Sequence, residues 1–277
     1  VSIFGSGNMA RGIGTRILAG GHSLHYFSDQ PEQAAALATS LGAFSTNDLD
    51  KALAADVIVL ATKTDSAAGA KGITLFLVDT RLPGFKRGKN LDKLGLKAQD
   101  TSELFFEDLR VPASAILGGE GRGFSIMMAK LAQERLTQAI RSAAVIETVI
   151  DYTVDYTAQR EAFGKTIADF QNTQFKLAEL KTEAVVGRVF TDHSIQQFLD
   201  GKLTPIDAAM AKMFLSNLHC KVVDECLQLF GGWGYMWEYP IARAYADARI
   251  VKIAGGSIEV MKHLIGRDLY DKAAKKN

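Results

Sequence analysis

Cysteine is nearly absent: the 277 residues hold two, Cys220 and Cys226. They lie six apart in one helical stretch, on different faces, which serves neither a disulfide nor a metal pair and makes a reducing compartment the default. Long apolar runs are missing as well. None approaches the roughly 18 residues a membrane span requires, and the chain opens on a strand without a cationic leader. The expectation is a soluble protein of the cytoplasm, or of the mitochondrial matrix if a leader has been removed. Neither sign of charge prevails, with 32 basic against 31 acidic side chains, so nothing indicates a nucleic-acid partner. His22, His25, His193, His219 and His263 show no ligand spacing, and no metal site is expected. What is present is 47% hydrophobic and 23% charged residues, a globular composition with room for about two domains.

The first section, "VSIFGSGNMARGIGTRILAGGHSLHYFSD", reads as a short apolar strand, a glycine turn, a helix and a second strand ending at Asp29. Gly5, Gly7 and Ala10 stand where a dinucleotide fingerprint must stand. Gly5 permits the tight turn, Gly7 lets backbone approach a pyrophosphate, and Ala10 allows close helix-to-strand packing. Two further helical runs follow, a short strand between them, and then "VIVLA", read as a buried parallel strand. The pattern is half of a Rossmann fold. This stretch resembles the N-terminal domains of nicotinamide-dependent reductases of the pyrroline-carboxylate and coenzyme-F420 kind. Asp29 would accept from a ribose hydroxyl and repel a phosphate, favouring NAD over NADP.

Beyond Thr62 the pattern changes. Short apolar bursts over 73–78, 91–96 and 102–109, separated by Gly, Pro and Asp/Asn, are β-hairpin signals. After "GGEGRGF" the period becomes helical: Phe124, Met128, Leu131, Ile140, Ala144 and Val149 are expected on one face of a long helix running to about Tyr156. Residues 171–199, 205–230 and 257–272 read as three more helices. The fold class is therefore mixed. A Rossmann-like α/β half over 1–62 precedes a short β segment over 63–119 and an all-α four-helix bundle over 120–277, whose amphipathic faces extend into a subunit interface.

"REAFGKTIADFQNTQFKLAELKTEA", "LQLFGGWGYMWEYPIARAYADARI" and "KGITLFLVDT" with "LDKLGLKAQDTSELFFEDLRVPASAILGGEGRGF" resemble the acyl-CoA dehydrogenase family, most closely its long-chain type, over roughly residues 70–270. The resemblance implies a FAD enzyme that inserts a Cα–Cβ double bond into an acyl-CoA thioester. It implies Glu134, in "LAQERLTQAI", as the base, because this branch carries it there. Other branches carry it before the last helix, where this chain has Gly255. An apolar, water-excluded wall is expected to raise the Glu134 pKa toward neutrality. For FAD the resemblance implies Arg160, Phe163 and Gln171 on the adenine and pyrophosphate side. It assigns Gln228, Gly231 and Gly232 to the adjoining subunit, and Ser257 and Glu259 to the "GTxE" residues of the family. A site shared in that way requires a homodimer or homotetramer, and the family's electron acceptor is an electron-transfer flavoprotein.

Two family features are missing: the leading helical domain and the early barrel strands, with their "TEPxxGSD"-like run and a "WxT/S" segment. The Rossmann-like half stands in their place, and "AADVIVLATKT" can be read as a strand of either family. Three functions stay open: the flavin dehydrogenase, an NAD(P)-dependent oxidoreductase using Gly5, Gly7, Ala10 and Asp29, or a non-catalytic oligomer.

Overall fold

The computed structural model describes residues 2–4, 25–27, 36, 39–40, 44–45 and 57–274. Two compact units emerge, residues 1–91 with 100–124 and residues 92–99 with 125–277.

In the first unit, β1 (Ser2–Phe4), β2 (His25–Phe27) and β3 (Phe44–Ser45) pair in parallel in that order. Gly5, Gly7, Ala10 and Asp29 lie outside the described residues, as do most of the expected intervening helices. The Rossmann half is thus not established beyond this pairing. The strand read at "VIVLA" requires a correction. Strand β4 (Val57–Lys63) runs antiparallel to β5 (Ile73–Asp79) along its whole length, and Val57 and Val59 are more than half exposed. The short link explains the direction, since a parallel neighbour needs a crossover of about a dozen residues or more. The Thr64 amide donates to the Gly72 carbonyl at 2.9 Å, and the Thr64 and Thr74 hydroxyls are 2.8 Å apart, so the turn closes on itself. β8 (Ile116–Leu117) takes the other edge of β5.

A second hairpin pairs β6 (Phe85–Asn90) with β7 (Ser102–Phe106). The strand expected over 91–96 does not form. Leu96 sits at φ 49°, and its amide donates to Asp247 Oδ1 at 2.5 Å. A Cβ on Gly95 would lie 2.6 Å from the Ala246 carbonyl oxygen, so glycine is required there. Residues 92–99 belong to the second unit and grip one of its helices.

The second unit is helical: α1 (Gly123–Gln159), α2 (Gln171–Leu199), α3 (Pro205–Leu229), α4 (Pro240–Ala248) and α5 (Ile258–Ala274). The core face of α1 differs from the expected one. Leu136, Ala139, Ala143, Ile146, Val149 and Ile150 are buried, whereas Phe124, Met128 and Ala144 are exposed. The spacing of the buried set is helical, but its first half is built of small residues, which hydrophobicity alone underweights. Ala139 and Ala143 share one buried cluster with α3, which is packed most closely by α2, α4 and α5, with Ala208, Ala211, Leu215, Val222 and Cys226 fully buried. Gly187 lets α2 approach α3 closely. A Cβ there would stand 3.1 Å from Leu215 Cδ1 and 3.2 Å from Leu218 Cδ2.

Helix α3 begins where its sequence says it should. The Thr204 hydroxyl accepts from the Asp207 amide at 3.1 Å, the Asp207 carboxylate accepts from the Thr204 amide at 3.2 Å, and Pro205 occupies the first turn. Arg188 on α2 ties to Glu147 on α1, and Lys221 on α3 to Glu183 and Glu225 to Lys176 on α2, fixing the register of the helices.

Candidate active site

Glu134 lies on α1 and is exposed. The enclosing apolar wall expected around it is not supplied by the described residues. Its neighbour Arg135 is the opposite, only 6% exposed. Burial pushes that guanidinium below its ordinary value, and the Glu134 charge offsets part of the effect. Arg135 Nε finds no partner.

The turn before α5 comes down on this stretch of α1. A Cβ on Gly255 would lie 3.9 Å from Gln138 Cγ, and one on Gly256 would lie 4.0 Å from Arg135 Nη2. Gln138 is one helical turn from Glu134, on the same side of α1. Position 255 and Glu134 therefore address one patch of α1 from two elements. Both glycines have positive φ, 68° and 97°, which only glycine adopts without strain. From below, Lys212 on α3 donates from Nζ to the Gly256 carbonyl at 2.6 Å. Lys212 has no exposed surface, and burial, with Arg135 nearby, lowers its pKa against the pull of Glu259.

Ser257 and Glu259, assigned to the cofactor from sequence, do local work at the start of α5. The Ser257 hydroxyl accepts from the Val260 amide at 3.4 Å. The Glu259 carboxyl is held below its usual value by its own backbone amide and by Ser257.

A second site lies elsewhere on the helical unit. Arg160, Gly231, Gly232, Trp233 and Met236 line one cavity of about 530 Å³. Arg160 and the two glycines thus meet within a single chain. The reason is local: Arg160 closes α1, the glycines follow α3, and Tyr156 stacks on Phe230 with ring centres 4.0 Å apart, pinning the two ends together. A Cβ on Gly231 or Gly232 would meet nothing within 4 Å, so the backbone there is open to a ligand. Gln228, on the last turn of α3, and Gln171, the first residue of α2, are exposed and do not line the cavity.

Phe163 stands at the tip of a hairpin between β9 (Glu161–Ala162) and β10 (Lys165–Thr166). The two tip residues, Phe163 and Gly164, have φ 54° and 80°, as a type I′ turn demands. A phenylalanine in that conformation is strained, and it is 97% exposed. Residues held against their preference and out in solvent are a feature of ligand sites. A guanidinium and an approachable glycine backbone in the cavity are suited to the phosphates of a dinucleotide, and the exposed Phe163 ring stands at the hairpin that follows Arg160.

Sequence reasoning missed Lys212 and the pair His219 and Ser142, whose Nδ1 and Oγ are 3.3 Å apart in the core. The signal for Lys212 was its place in "AAMAKMF", a charge on an otherwise apolar helix. In the loop "GGWGYMWEYP", Trp233, Tyr235 and Trp237 are exposed. Among the described residues no group of three His, Cys, Asp or Glu could hold a metal ion, and no helix is long and apolar enough to cross a membrane.

Comparison with known proteins places these elements. The family model described as acyl-CoA dehydrogenase, C-terminal domain, matches residues 121–270, and that for the acyl-CoA dehydrogenase middle domain matches residues 49–109. A model described as NADP oxidoreductase, coenzyme F420-dependent, matches residues 1–71. The mitochondrial long-chain specific acyl-CoA dehydrogenase of Sus scrofa is 50% identical over 217 residues, 78% of this chain and 50% of the relative. The short-chain specific enzyme of Megasphaera elsdenii is 38% identical, over 77% of this chain and 56% of the relative. The crystal structure of an acyl-CoA dehydrogenase from Geobacillus kaustophilus superposes with a TM-score of 0.75 at 46% identity, covering 78% of this chain and 57% of that one. The chain spans about half the length of the curated relatives it matches.

Proposed function

The chain belongs to the acyl-CoA dehydrogenase family, and on that premise we propose that it carries the base and part of the flavin site for α,β-dehydrogenation of an acyl-CoA thioester. The observation that supports this most directly is the meeting of Gly255 with the Glu134 side of α1. The two places from which a base can act converge there, and only one of them holds a carboxylate.

Glu134 takes the α-proton onto a carboxylate oxygen. FAD, when bound, supplies the acceptor for the β-hydride. Arg160 would pair with its pyrophosphate, the backbone at Gly231 and Gly232 would allow its close approach, and Phe163 would offer a ring face to the adenine, with Gln171 and Gln228 as further contacts. Because Glu134 is exposed in this chain, the thioester itself and residues that pack over it in the assembly exclude water from the carboxylate. A homo-oligomer is part of the proposal, supported by the exposed stripe Phe175, Ala178, Thr182, Val185 and Val189 on α2, spaced three and four apart. An electron-transferring flavoprotein as acceptor is supported by family membership alone.

The test uses the full chain reconstituted with FAD. Glu134→Gln is expected to leave flavin content unchanged and to abolish bleaching of the flavin absorbance by a long-chain acyl-CoA. Undiminished bleaching in that variant removes Glu134 from the mechanism.

One observation favours a second activity, the match of residues 1–71 to NADP oxidoreductases. In that reading the segment before β4 binds NAD or NADP through Gly5, Gly7 and Ala10, with Asp29 selecting NAD. Gly7→Val is expected to abolish quenching of nicotinamide fluorescence while flavin uptake persists, and unchanged quenching rejects the reading.

A further inference from the structure

A lysine with no exposed surface is expensive to keep, because an ammonium loses its hydration on burial and a single carbonyl is a poor substitute. Lys212 is such a residue, and its ammonium donates to the Gly256 carbonyl. Methionine would fill the same volume in α3 without that cost. What the ammonium adds is reach and direction. Its 2.6 Å bond ends on a turn whose two glycines adopt left-handed backbone and stand close to α1 at Arg135 and Gln138, one residue and one turn after Glu134.

We propose that Lys212 is a positioning residue: from the core it holds the turn at Gly255 and Gly256 at a fixed height over the Glu134 side of α1. The nearest atoms around Gly256 belong to α5 itself: a Cβ there would stand 2.7 Å from Met261 Cε and 3.8 Å from Val260 Cγ1. Gly255 meets one atom, Gln138 Cγ at 3.9 Å, and neither glycine carries a side chain to pack. The Ala254 amide donates to the Ile250 carbonyl and the Met261 amide to the Ser257 carbonyl, so the backbone is bonded on both sides of the two glycines. The bond from Lys212 is the one that ties them to the core. It also orients the start of α5, where Ser257 and Glu259 stand. This inference deepens the dehydrogenase reading and rests on it only for its consequence in catalysis; the tether itself is a statement about the fold.

The experiment compares the full chain with Lys212→Met and Lys212→Gln by hydrogen exchange, by thermal unfolding and by FAD titration followed through the flavin absorption spectrum. Methionine removes the donor at equal volume, and glutamine keeps a shorter N–H donor. In Lys212→Met the amides of 254–258 are expected to exchange about tenfold faster, the factor that a hydrogen bond to a charged group is worth. The amides of the buried centre of α1 and α3 keep their protection and the melting temperature does not fall. Lys212→Gln recovers part of the protection. The flavin spectrum shifts in the methionine variant, which a lysine that merely fills space would not produce. Unchanged exchange at 254–258, or acceleration shared equally by α1 and α3, overturns the proposal. A wild-type chain that takes up no FAD overturns the flavin reading instead, and the exchange comparison then still decides the tether.

Discussion

Single side chains carry most of what is specific to this molecule, and they do so by standing in places their chemistry resists. Phe163 has φ 54° with its ring in solvent. Replacing it by glycine should stabilise the hairpin by about 1 kcal/mol, since left-handed backbone costs a residue with a Cβ roughly that much. The same change is expected to weaken FAD retention, measured by flavin absorbance after gel filtration, so that stability and cofactor affinity move in opposite directions. His219 is the counterpart in the core. Burial, with Arg141 adding to it, lowers its pKa to about 4 from 6.5. A folded-state value below the unfolded one means the unfolded chain binds the extra proton first. Stability is whole above pH 6.5 and declines between pH 6.5 and about 4. The loss amounts to about 3 kcal/mol at the lower end. Denaturant midpoints across that window test it, and His219→Leu should flatten the decline.

Helices and strands were legible to different degrees, for reasons visible in their ends and neighbours. The helix expected over 205–230 is found at Pro205–Leu229 because Thr204, Pro205 and Asp207 write its start in sequence. Thr204→Ala is expected to cost about 1 kcal/mol by removing that cap, read as a lower denaturant midpoint with an unchanged slope. The strand expected over 91–96 was illegible because its backbone serves a tertiary grip, the Leu96 amide on the Asp247 carboxylate, while Leu91 and Leu94 stay exposed. Likewise the face of α1 was misread where alanine and serine, rather than large apolar residues, line the contact with α3. Gly187 makes the same point as a prediction. Gly187→Val should destabilise the helical unit by about 1–3 kcal/mol through overpacking against Leu215 and Leu218, detectable as a fall in melting temperature without loss of helical signal at low temperature.

At the level of the whole chain, the positions of Glu134, Arg160 and the glycine pair could be named from sequence, because the resemblance is carried by long local motifs. Which of them share a cavity could not be named. That Arg160 meets Gly231 and Gly232 in one chain depends on the stacking of Tyr156 on Phe230, a contact between residues 74 apart in sequence whose hydrogen bond, Tyr156 hydroxyl to Phe230 carbonyl, is 3.3 Å long. Independently of the glycine pair, the exposed stripe on α2 argues for an oligomer. Light scattering on the full chain is expected to show a dimer or larger species, and charge at Val185 and Val189 together should shift it to monomer.

The enclosure of α3 has a kinetic corollary. A segment wrapped by α2, α4 and α5 cannot fray piecemeal, so its amides become accessible only when the surrounding layer comes apart as a block. A protease should accordingly nick the periphery first and leave this central rod for last, as the residue of digestion that reports how long the whole assembly of helices survives.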